Sequence, residues 1–146
     1  MLKGLDPALS AELLMVLMSM GHGDDLLVCD VNHPAATIAK HTTHGVVIHM
    51  VGCDIPRAVE AILTLMPLDT FVTAPAKRME VVGNPEQIMP VHERFQAVVD
   101  RAEGRTVTVE ALERFDFYDT AKNAFAGVRT SDAGPYGCFL LRKGVA

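Results

Sequence analysis

Short apolar runs alternate with longer stretches of helical spacing along the whole chain, and this alternation constrains the fold more than any other feature. The clearest run is residues 25–30 (DLLVCD). Its apolar residues are consecutive rather than alternating, which is the pattern of a strand buried on both faces. Before it, residues 10–20 place Leu13, Leu14, Leu17 and Met18 on one helical face, with Ser10 as N-cap and Gly21 in the left-handed position after the last turn. After it, VNHPAA breaks the strand, because Pro34 restricts His33 and removes a backbone donor. Further strands are expected over residues 45–51, 69–73, 79–83 and 105–109. Helices are expected over 56–66, with Ala58, Ile62 and Leu65 inward, over 86–102, and over 117–123. In the second of these Pro90 suits the first turn and Gly104 follows the end. Residues 125–130, a turn over 131–135 and residues 137–143 read as a β-hairpin. Alternating elements of this kind make an α/β layered arrangement the economical one. With no linker or repeat, residues 1–146 are read as one domain.

Composition narrows the function. The chain is 49% apolar, enough to fill a core, and its formal net charge is −5 with no cluster of Lys and Arg. That balance argues against a nucleic-acid partner. No stretch approaches the roughly 18 consecutive apolar residues of a membrane span. The N-terminal apolar run is broken by Asp6, Pro7, Ser10 and Glu12, unlike a secretory leader. Cys29, Cys53 and Cys138 form no CxxC pair, which fits reduced thiols in a cytoplasmic protein. Phosphate-cradling glycine loops and the GxSxG elbow are absent from the sequence.

Four groups of residues carry possible chemistry. His22 lies between Gly21 and Gly23 at a helix-to-strand junction, free to face a cavity and to exchange protons near neutral pH. Asp30 ends the following strand, where α/β proteins build sites. In the segment Glu113 to Tyr118, Arg114 offers a fork of donors, and Tyr118 offers a ring and a hydroxyl. Tyr136, Gly137 and Cys138 open the last strand, and a glycine there permits close approach to the backbone. His33, His41, His44 and His49 suggest metal ligation, but no Cys or Glu completes a ligand set nearby, and a polar loop is the simpler reading.

In this order and spacing the chain resembles the fucose mutarotase branch of the ribose pyranase family. The stretches that carry the resemblance are LDPALSAELLMVLMSMGHGDDLLVCDVNHPA, PLDTFV, ERFDFYDTAKNAFAGV and PYGCFLLRKGV. The resemblance implies a ribose pyranase-like α/β subunit in a homo-oligomer, a ring-shaped decamer among the forms open to it. It implies no cofactor and no metal. It implies an isomerase that interconverts the anomers, and in some members the ring forms, of a free monosaccharide, L-fucose or a related sugar. His22 takes the position of the general acid. Asp30, Asp69, Arg114, Tyr118, Tyr136, Gly137 and Cys138 take positions that bind substrate, some of them completed by a neighbouring subunit. Asp30 is expected to orient His22 or a sugar hydroxyl, and Asp69 or a water to act as base. Two positions depart from the family pattern: Cys138 stands where Asn is expected, and His33 where Phe is expected. A thiol donates and accepts hydrogen bonds more weakly than an amide. The departures leave a second reading open, a non-catalytic monosaccharide-binding or regulatory protein on the same scaffold.

Overall fold

The computed structural model describes residues 2–146. The elements in chain order are α1 (Ala11–Ser19), β1 (Asp25–Cys29), α2 (Ala35–Ala39), β2 (Val47–Met50), α3 (Ile55–Leu63), β3 (Ala76–Met79), α4 (Pro90–Glu103), β4 (Val109–Leu112), α5 (Arg114–Lys122), β5 (Ala126–Thr130) and β6 (Cys138–Arg142). All six strands join one sheet in the order β2-β5-β1-β6-β3-β4. β1 runs parallel to β5, and β5 parallel to β2; β3 runs parallel to β4. β6 alone is reversed, antiparallel to both β1 and β3.

The sheet is covered on both faces, which explains why DLLVC has no polar alternation. Leu26 and Val28 join the apolar cluster built with α1, α3 and α4. Leu27 and Cys29 join the cluster built with α2 and α5. The result is a three-layered α/β domain. Its helix ends follow local chemistry. Ser10 accepts the Leu13 N–H, and Asp54 accepts the Arg57 N–H. Pro90 is the first residue of α4, and Gly104 closes that helix at φ 64°.

Several sequence expectations are corrected. Residues 125–130 and 137–143 do not form a hairpin, because β1 lies between the two strands and pairs with each. The doubly buried strand takes the centre, and a polar loop joins its neighbours around it. Residues 69–73 form a turn held by Asp69, whose carboxylate accepts the Phe71 N–H at 2.9 Å. β3 and β4 lie about three residues away from their expected places. α5 starts at Arg114 because Glu113 caps it, accepting the Phe115 and Asp116 N–H groups. VNHPAA opens α2 rather than a loop, with Pro34 at its N-cap. The left-handed residue after α1 is Gly23 at φ 87°, not Gly21. Met18 and Leu65 point outward.

Candidate active site

Strand β1 carries possible chemistry at both of its ends, and the two ends differ. At its C-terminal end Asp30 is buried and held by backbone donors. The Asn32 and His33 N–H groups donate to Oδ1 at 2.8 and 3.0 Å, and the Gly137 N–H donates to Oδ2 at 2.9 Å. Burial nevertheless pushes the Asp30 carboxyl above its ordinary range, against the pull of these bonds. A Cβ on residue 137 would stand 3.2 Å from Asp30 Cβ and 3.3 Å from Ile55 Cγ1, so any side chain there would force these neighbours to give way by a few tenths of an ångström. The backbone of Gly137 is therefore spent on Asp30, accepting its N–H as well as donating to its carboxylate.

Asp30 forms part of the wall of a hollow of about 220 Å³, with His33, Arg114, Tyr118, Tyr136 and Cys138. Tyr136 has φ 61° and is the non-glycine residue of the described chain in the left-handed region. Such a conformation costs about 1–3 kcal/mol and persists where the surroundings enforce it. Here the Val82 N–H donates to its hydroxyl at 3.1 Å, and His92 holds its carbonyl at 3.2 Å. His92 Nδ1 accepts the Met89 N–H, so in the neutral ring Nε2 carries the hydrogen given to Tyr136. Burial lowers the His92 pKa to about 4, which keeps that ring neutral. Arg114 lies over the Phe115 ring at 4.6 Å, and among the described residues no carboxylate pairs with it. The Tyr118 hydroxyl is raised above its ordinary pKa, chiefly by burial, and stays protonated at neutral pH.

Cys138 and His33 complete the wall. The thiol lies 3.2 Å from His33 Nδ1 and 3.7 Å from Asp30 Oδ2. Burial and the nearby Asp30 carboxylate push the thiol well above its ordinary pKa, so it is no ready nucleophile. His33 packs edge-on to Phe117 and Tyr118. Burial lowers its pKa to about 4. Its Nε2 is buried without a hydrogen-bond partner, a condition that costs about 1–3 kcal/mol.

His22 stands at the other end of β1. Its Nε2 lies 3.0 Å from Asp69 Oδ1, and its side chain is 47% exposed. Asp69 is buried beneath it, with a carboxyl held below the ordinary range by the Phe71 N–H and then by His22. The exposed Phe71 ring lies 5.2 Å from the imidazole. At about 3.3 Å per residue, β1 alone keeps His22 and Asp30 more than roughly 13 Å apart. Of the two roles expected of Asp30, orienting His22 is therefore ruled out, and the one toward a sugar hydroxyl is left; it is Asp69 that meets His22. His41, His44 and His49 do not join His33 in a ligand set: His44 meets Glu12, and among the described residues no group of three His, Cys, Asp or Glu side chains is arranged to hold a metal ion.

The sequence brought out neither His92 nor the His33–Cys138 contact. The partners lie 44 and 105 residues apart, so no local pattern joins them.

A covered, mixed sheet with a small polar hollow at the carboxyl end of a central parallel strand defines an α/β domain built to hold a small polar molecule. The chain belongs to the RbsD / FucU transport protein family, whose model matches residues 3–146. It is 41% identical over 145 residues to the L-fucose mutarotase of Actinobacillus pleuropneumoniae serotype 5b, covering 99% of this chain and 97% of that one. It is 42% identical over 147 residues to the fucose mutarotase of Homo sapiens, covering 99% and 94%. The fold superposes with a TM-score of 0.89 on the fucose mutarotase of Streptococcus pneumoniae in complex with L-fucose, at 34% identity and with 99% of each chain covered. Among the described residues no helix is long and apolar enough to cross a membrane.

Proposed function

We propose that the chain is a mutarotase, an isomerase that interconverts the anomers of free L-fucose or a related monosaccharide by acid–base ring opening. The observation that carries this reading is the full-length likeness to fucose mutarotases, including one that holds L-fucose. The geometry suits the reaction. A cyclic hemiacetal opens when its ring oxygen gains a proton and its anomeric hydroxyl loses one. It closes to either anomer after rotation about the C1–C2 bond.

His22 is the acid. Ionised Asp69 accepts from its Nε2, so Nδ1 is the nitrogen left to face the sugar. Asp69 is a weak base, because its hydrogen bonds hold its pKa down. Asp30, made more basic by burial, is the proton acceptor within the hollow. Arg114, Tyr118 and the Tyr136–Cys138 segment hold the ring. Each positioned proton transfer contributes about 10²–10⁴-fold.

Since β1 separates His22 from Asp30, a working site takes its acid end from one copy of the chain and its hollow from a neighbour. The protein therefore acts as a homo-oligomer, a closed ring in the simplest head-to-tail form. Exposed apolar residues suit such a contact at both ends: Phe71 beside His22, and Val82 and Phe115 near the hollow. The three free, buried cysteines fit a cytoplasmic location.

Saturation-transfer NMR on equilibrated L-fucose tests the reading. Anomer exchange faster than buffer, lost in His22→Ala, is expected. A second reading, a non-catalytic sugar binder, is favoured by the position of His22 outside the hollow of its own chain. Sugar binding with no acceleration of exchange for any monosaccharide would select it.

A further inference from the structure

The wall of the hollow holds one polar atom that nothing in the fold uses. His33 is 7% exposed, lines the hollow, and has a buried Nε2 with no hydrogen-bond partner. Among the described residues it is the one buried side-chain nitrogen or oxygen left so. Native folds satisfy nearly all such atoms, and exceptions point to function or to an absent partner.

The neighbours of the ring decide which form it takes. The Cys138 thiol has a single hydrogen and two acceptors in reach, His33 Nδ1 at 3.2 Å and Asp30 Oδ2 at 3.7 Å. Asp30 Oδ2 already receives the Gly137 N–H at 2.9 Å. The nearer and freer acceptor is Nδ1. A neutral imidazole that accepts at Nδ1 carries its hydrogen on Nε2. The ring is therefore a neutral donor, fixed in rotation by the thiol on one side and by the edge-on rings of Phe117 and Tyr118.

We propose that His33 is a specificity-determining residue that, with Cys138 setting its tautomer, donates from Nε2–H to an oxygen of the bound monosaccharide. The ligand class is a neutral polyol ring that places a hydroxyl or ring oxygen against the His33 wall. Sugars that differ in configuration at that carbon lose the contact and leave the donor buried and unpaired. A site built around a buried donor discriminates by this means more sharply than an apolar wall does. The inference rests on the reading of the hollow as a sugar site, not on the acid role of His22.

The test is calorimetric binding of a panel of monosaccharides, L-fucose, L-galactose, D-arabinose, D-ribose and D-galactose, to the full-length protein, with NMR exchange measured alongside. His33→Phe keeps the ring volume and removes the donor. It should weaken the preferred sugar about tenfold and compress the differences across the panel. His33→Gln, whose amide nitrogen reaches the place of Nε2, should restore most of the preference. In protein with ¹⁵N-labelled imidazole, the preferred sugar should shift the His33 Nε2 signal and leave its Nδ1 signal nearly in place. Equal weakening of every sugar by His33→Phe, or no weakening, overturns the proposal. So does failure of the wild-type protein to bind any sugar, which removes the mutarotase reading too. Binding without exchange removes the catalytic reading alone and leaves this one standing.

Discussion

The two ends of β1 carry the same kind of residue, a carboxylate beside a histidine, in opposite surroundings. At one end His22 is half exposed over an ionised Asp69. At the other, His33 is buried beside Asp30, whose carboxyl is pushed up, and Cys138, whose thiol is pushed up further. The wet end offers a histidine open to solvent; the dry end offers groups that burial holds neutral or makes more basic. In the proposed reaction the wet end delivers a proton, and the dry end accepts one and holds the ligand. Solvent access, rather than residue type, decides which.

That contrast can be broken most strongly at His22. His22→Ala should lower anomer exchange by about 10²–10⁴-fold while calorimetric sugar binding persists. Exchange preserved at the wild-type rate would place the acid elsewhere.

Acid stability separates the two ends next. His33 and His92 are neutral in the fold, with pKa values lowered to about 4 from an ordinary 6.5. Unfolded, both take up protons at higher pH. The unfolded chain therefore binds more protons between about pH 6.5 and pH 4, and stability falls as pH falls through that window. The full span is of the order of 3 kcal/mol for each ring. Urea midpoints across the window should show the loss, and His33→Phe should flatten roughly half of it. An equal slope in the variant would mean that residue 33 titrates normally.

Gly137→Ala tests how tightly the dry end is built. Its Cβ would crowd Asp30 and Ile55, so stability should fall by about 1–3 kcal/mol, with sugar binding weakened as Asp30 shifts. Ser10→Ala removes the cap of α1, far from either end in function. It should cost about 1 kcal/mol and leave the exchange rate per folded molecule unchanged.

Much of this frame is legible in the sequence. β1 is marked by its unbroken apolar run, and α1, α3 and α4 by Ser10, Asp54, Pro90 and Gly104 at their ends. Those signals are local, and so is the chemistry behind them. The apparent hairpin misleads because two strands close in sequence are both claimed by a third from a hundred residues earlier. α2 is five residues long, too short to display a period, and opens on a proline that reads equally well as a loop. The family resemblance groups Asp30, Arg114, Tyr118, Tyr136 and Cys138 in one site, as the hollow does, but no local pattern of residues does so. His22 and Asp30 are eight residues apart in sequence and stand at opposite ends of a strand, whereas His33 and Cys138, 105 residues apart, touch. Nor does sequence show that Asp69 rather than Asp30 meets His22; that follows from a turn bridged to the last strand, where the Asp69 N–H donates to the Arg142 carbonyl.

The central claim, that the acid of one copy serves the hollow of another, is tested most directly by mixing. His22→Ala and Asp30→Ala chains, each inactive alone, are combined, unfolded, refolded together and assayed by NMR exchange. Random assembly should pair an intact acid end with an intact hollow in about a quarter of the sites and restore about that share of wild-type exchange. A mixture that stays as slow as either variant alone would contradict the account.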